Sequence, residues 1–121
     1  MTPFTYSRAK DPQGAISGVA ANANAKYLGG GTNLIDLMKM GVERPEQLVD
    51  INRLALTQVE PLPDNGGVRI GALVRHSDLA EHDLIKTGHP VVSDTLLSGA
   101  TPQLRNLPPT GCTRLQRTAC Q

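Results

Sequence analysis

The stretch Lys26-Tyr27-Leu28-Gly29-Gly30-Gly31-Thr32-Asn33-Leu34 decides how this chain is read. Ala25 to Leu28 has the composition of a short strand, and Leu34, Ile35, Leu37 and Met38 have the spacing of a short helix that ends at Gly41. Three glycines between them let the backbone turn tightly and let a ligand come close, because no Cβ stands in the way. Several N–H groups then face one small space, and Thr32 and Asn33 add side-chain donors. Pyrophosphate is the ligand such a loop suits best. A tight strand-to-helix turn with no ligand fits the glycines equally well. Two phosphate motifs are excluded. A P-loop needs Lys-Ser/Thr after its last glycine, where Thr32-Asn33 stand, and the dinucleotide fingerprint needs a glycine where Leu34 stands.

Upstream, Asp11-Pro12 has the form of a helix start, Asp as N-cap and Pro at the first helical position, with Ala15, Ile16, Val19, Ala20 and Ala23 on one face. Gly14 and Gly18 weaken that helix, so packing must hold it. Downstream, Gln47 to Ile51 is a strand, and Leu56 to Leu62 and Val68 to Leu73 form a hairpin around Pro63-Asp64-Asn65-Gly66-Gly67. Ser77 is expected to cap a helix over 78–85, and Pro90 to open one reaching Ser98. From Gly99 onward, Pro102, Pro108 and Pro109 give a loop-like tail. The order of elements is that of a mixed α+β fold.

The 121 residues suit one small domain of ordinary polarity, about 47% apolar with glycine counted. Twelve basic residues against eleven acidic ones leave no basic signature for nucleic acid. No apolar run has membrane-spanning length, and no signal peptide opens the chain, so the expected location is the cytoplasm, or the periplasm if a partner subunit carries the chain there. Aromatics number three, Phe4, Tyr6 and Tyr27, so the core must be aliphatic. Beyond Asp94 the only charges are Arg105, Arg114 and Arg117, read as a solvated surface. Cys112 and Cys120 match no zinc spacing and read as free thiols. His76, His82 and His89 are irregularly spaced, and no catalytic side-chain arrangement stands out.

The string from Tyr27 to Lys39 resembles the first flavin-binding loop of the FAD-binding subunit (subunit M) of the xanthine dehydrogenase family, the molybdenum hydroxylases, in its aldehyde oxidoreductase branch. The likeness continues through Gly41-Val42-Glu43-Arg44-Pro45, Leu48-Val49-Asp50-Ile51, Arg69-Ile70-Gly71-Ala72-Leu73, Ser77-Asp78-Leu79-Ala80, Ala100-Thr101-Pro102-Gln103-Leu104-Arg105-Asn106 and Leu115-Gln116-Arg117-Thr118. The resemblance implies a PCMH-type (vanillyl-alcohol-oxidase-like) FAD-binding fold, with residues of about 1–55 as first subdomain and about 56–121 as the start of the second. It implies an oxidoreductase subunit that passes electrons through FAD to an external acceptor. The electrons come from two-iron-two-sulfur clusters on a small subunit, and substrate (an aldehyde or xanthine) is oxidised at a molybdenum cofactor on a large one. It implies that Lys26, Tyr27, Leu28, Gly29, Gly30, Gly31, Thr32, Asn33 and Leu34 hold the FAD pyrophosphate, with Gly111 as a further cofactor-binding position.

One stretch departs from the family. Where its members read Met-Ala-Thr-Val-Gly-Gly-Asn, this chain has Leu107-Pro108-Pro109-Thr110-Gly111-Cys112-Thr113. The prolines remove two backbone donors, Cys112 adds a Cβ, and Thr113 lacks the amide's paired donor and acceptor. Cys120 matches the first cysteine of an iron–sulfur segment in this branch, but a lone thiol holds no cluster. A full family member is longer, so a truncated or degenerate copy is expected. Two readings stand beside the flavin module: a non-catalytic remnant or interaction fragment, and a nucleotide-binding domain unrelated to flavin.

Overall fold

Asp11 starts the first helix by the expected chemistry: its carboxylate accepts the Gly14 N–H at 2.6 Å, and Pro12 takes the first position. The computed structural model describes residues 1–117. Within it the chain divides into two units, one of residues 1–55 with 115–117 and the other Leu56–Arg114.

The first unit holds β1 (Thr5–Arg8), α1 (Pro12–Ala20), β2 (Ala25–Leu28), α2 (Leu34–Lys39) and β3 (Gln47–Asp50). The strands form a parallel sheet in the order β1-β3-β2, with Arg8 and Leu28 both in register with Asp50. All three strands therefore end at the same edge, and the glycine loop leaves from it. The central strand buries Leu48, Val49 and Asp50, and the core is completed by Ala15, Ala25, Leu37, Met38 and Leu54. β1 carries no apolar pattern and is not anticipated by the sequence. It is held as an edge by pairing with β3. The face of α1 also differs from expectation. Ile16 is 53% exposed, while Gly18 comes so close to the sheet that a Cβ there would touch Val49 Cγ2 at 3.4 Å. The glycine that weakens the isolated helix is the point at which it packs.

The second unit holds β4 (Val59–Pro61), β5 (Val68–Ile70), α3 (His76–Glu81), α4 (Asp83–Gly88), α5 (Pro90–Ser98), α6 (Pro102–Arg105) and α7 (Thr110–Arg114). The hairpin β4–β5 is antiparallel, turned by a 3-10 segment Pro63–Asn65 in which Asp64 and Asn65 take left-handed φ of 57° and 54°. Short polar side chains tolerate that region. Both strands are shorter than the alternation of the sequence suggests. Val74, Leu79 and Ile85 form the core, with Val59, Val68, Ile70 and Leu96 against it.

The single helix expected over 78–85 is two helices, broken at His82, whose backbone is extended (φ −71°, ψ 131°). In one straight helix Leu79 and Ile85 would lie about 120° apart around the axis, and the break brings both into one core. Nor does Ser77 act as cap. The helix already starts at His76, while the His82 ring accepts the Leu84 N–H at the start of α4. The tail after Gly99 is likewise not a loop. Thr101 caps α6 through its hydroxyl, which accepts the Leu104 N–H at 3.3 Å, with Pro102 at the first helical position.

Candidate functional site

Among the described residues, the backbone N–H groups of Gly29 to Leu34 have no protein acceptor. The segment is half-buried throughout. Gly31 turns the chain with φ +78°, and a Cβ there would come within 3.0 Å of Ile35 Cγ1, so both conformation and space call for glycine. The Gly31 carbonyl accepts the Ile35 N–H at 3.0 Å and so starts α2. Six consecutive donors thus have no acceptor among the described residues, and three of them stand on glycines that lack a Cβ, the features an anion-binding loop requires. α2 has only six residues, so its helix dipole is weak beside the donors of the loop.

The side chains around the loop are largely committed. Asn33 donates from Nδ2 to the Arg117 carbonyl at 3.1 Å and leaves the α2 cap unfilled. Lys26 pairs with Glu43 at 3.7 Å, and Arg117 meets the same carboxylate at 3.1 Å. Lys26 is therefore tied to the loop's own support. Tyr27 is exposed, and Thr32 is half-buried. The Leu28 carbonyl accepts the Ile51 N–H at 3.1 Å, which joins the loop's entry to the end of β3.

Beneath the loop lies a polar network that the sequence reading missed. Asp50 is 4% exposed at the end of β3. Its Oδ2 accepts from the Tyr6 hydroxyl and from Arg8 Nε (2.9 Å), and its Oδ1 accepts from the Asn52 backbone N–H (2.9 Å) and Nδ2 (2.8 Å). Burial opposes charge on this carboxylate, but the hydrogen bonds from Tyr6, Asn52 and Arg8 outweigh it and hold its pKa well below the usual range. Asn52 Nδ2 also donates to the Gly29 carbonyl at 2.9 Å. Only its Asp50–Asn52 part has a local signal in the sequence, an acid with Asn two residues later.

The second unit contains Gly111. Its N–H donates to the Ala72 carbonyl at 2.8 Å, and a Cβ would lie 2.9 Å from Ala72 Cβ, so close packing within that unit requires the glycine. Pro109, two residues before it, sits at a bridge position whose hydrogen bonds are made by its neighbours. It pairs with Arg75, and the bonds run from the His76 N–H to the Pro108 carbonyl (3.2 Å) and from the Thr110 N–H to the Val74 carbonyl (2.9 Å). Cys112 is a half-buried free thiol whose pKa is raised by burial and partly restored by Arg75. Arg105, expected on a solvated surface, donates from Nη1 to the carbonyls of Leu97, Gly99 and Ala100, and Arg117 is paired as described. Cys120 lies outside the described residues. Among those described, no cluster of His, Cys, Asp or Glu could hold a metal, and no helix is long and apolar enough to cross a membrane.

A family model for the FAD binding domain in molybdopterin dehydrogenase matches residues 2–111. The aldehyde oxidoreductase FAD-binding subunit PaoB of Escherichia coli K12 is 47% identical over 120 residues, 99% of this chain and 37% of that protein. The glyceraldehyde dehydrogenase medium chain of Sulfolobus acidocaldarius is 35% identical over 104 residues, 86% of this chain and 37% of that one. Among solved structures, a reconstituted CO dehydrogenase from Oligotropha carboxidovorans superposes with a TM-score of 0.86 at 30% identity, covering 93% of this chain and 40% of its own. The chain thus spans little more than a third of the length of these curated relatives.

Proposed function

The chain belongs to the family of FAD-binding domains in molybdopterin dehydrogenases, and on that premise we propose that it binds FAD as an electron-transfer component of a molybdenum-containing hydroxylase. The observation that carries the reading is the run of donors at Gly29 to Leu34, which have no acceptor among the described residues. Those N–H groups hold the pyrophosphate, which suits a doubly charged ligand in a half-buried site better than a single side-chain cation would. Lys26, exposed and paired with Glu43 at 3.7 Å, stands beside the loop as its neighbouring cation. Gly111 adds no donor, since its N–H is bonded to Ala72.

FAD, when bound, supplies the redox chemistry; the chain binds and orients it. The partners are a large subunit with the molybdenum cofactor and a small one with two-iron-two-sulfur clusters. The substrate class is an aldehyde or a xanthine-type heterocycle. The compartment is the cytoplasm, where a thiol such as that of Cys112 stays reduced.

The test is titration of the protein with FAD, and separately with ADP, followed by flavin fluorescence and by melting temperature. Saturable FAD binding with a rise in melting temperature is expected. ADP binding without preference for FAD would favour a nucleotide domain unrelated to flavin. No binding of either leaves the family's fold without its ligand.

A further inference from the structure

The geometry at the end of β3 points to a positioning residue for the glycine loop, an inference that rests on the flavin reading above. We propose that Asn52 sets the direction of the Gly29–Gly30 peptide, so that the Gly30 N–H faces the phosphate rather than the protein. Asn52 Nδ2 carries two protons and has two close acceptors, Asp50 Oδ1 at 2.8 Å and the Gly29 carbonyl at 2.9 Å; the Leu28 carbonyl is farther, at 3.4 Å. Three acceptor oxygens around this atom identify it as the nitrogen end of the amide. The peptide is trans, so its C=O and N–H point in opposite directions. A Gly29 carbonyl held toward Asn52 therefore sends the Gly30 N–H the other way, where no described residue accepts it.

Such a restraint is needed because a peptide between two glycines rotates with little steric penalty. A free Gly29–Gly30 unit would point its donor at a phosphate only part of the time, and affinity would fall with that fraction. Asp50 supplies the anchor. Its Oδ1 accepts both the side-chain and the backbone N–H of Asn52, while Oδ2 is held by Tyr6 and Arg8 from β1. The edge strand is thereby linked through one carboxylate and one amide to the phosphate loop.

The experiment compares the full 121-residue protein with Asn52→Asp, which keeps the shape but replaces the donor by an acceptor, and with Asn52→Ala. The backbone amide resonances of Gly29 and Gly30 are recorded without ligand, and FAD affinity is measured by flavin fluorescence. The expected result is a displaced Gly30 resonance in both variants and FAD binding weaker by roughly tenfold or more, with cooperative unfolding retained. An unmoved Gly30 resonance together with unchanged affinity overturns the proposal. If the unaltered protein takes up no FAD, the flavin reading fails, and the Gly30 resonance still judges Asn52. If neither variant folds, the scalar coupling across the hydrogen bond from Asn52 Nδ2 to the Gly29 carbonyl in the unaltered protein decides, and its absence overturns the proposal.

Discussion

Asp50 is a charge almost removed from water, which is tolerated only because four donors converge on it. Two of those donors, Tyr6 and Arg8, are themselves exposed, which softens the loss when the carboxylate goes. Asp50→Ala is expected to lower unfolding stability by about 2 kcal/mol in urea denaturation; a change within about 0.5 kcal/mol would show the network to be incidental. The folded state depresses this carboxyl's pKa. Its stabilisation is therefore complete above the ordinary carboxylate range and is lost as pH falls below about 4. Acid titration of stability should be shallower in Asp50→Ala than in the unaltered protein. The sequence places Asp50 inside a strand expected to run to Ile51 and does not show what meets it, because Tyr6 and Arg8 lie more than forty residues away on a strand with no apolar pattern. Asn52 was missed for the same reason, since its partner at Gly29 is brought near only by the parallel pairing of β2 and β3.

Local signals located the elements well where one chemistry decided them. Asp11-Pro12 and Pro90 open helices where expected, and the Ala25–Leu28 strand ends where the glycines begin. They failed where packing decided. The break at His82 serves Leu79 and Ile85 together, and no propensity announces it. Glycines show the same contrast. A Cβ on Gly71 would lie 2.3 Å from the Leu56 carbonyl oxygen, which also accepts the Leu73 N–H, whereas a Cβ on Gly88 meets nothing within 4 Å. Gly71→Ala should therefore cost about 2 kcal/mol or more through forced backbone displacement, and Gly88→Ala should stay within about 0.5 kcal/mol. Thermal unfolding of the two variants checks this, and equal melting temperatures would show that the strand can shift at no cost.

Across the molecule, the aromatic poverty of the sequence has a simple counterpart: Phe4, Tyr6 and Tyr27 are all exposed, and both cores are aliphatic. The glycine loop was legible because its chemistry lies in nine consecutive residues. Its support was not, because it is assembled from Asp50, Asn52, Glu43 and Arg117. The chain spans little more than a third of its curated relatives, so its own contribution to flavin binding is the question that matters most. The most direct measurement is titration of isotope-labelled protein with FAD while following the backbone amides. Saturable shifts concentrated on Gly29 to Leu34, reproduced in part by ADP, are the predicted result. FAD that leaves those amides in place, or shifts only residues elsewhere, would contradict the assignment of the loop as the pyrophosphate site.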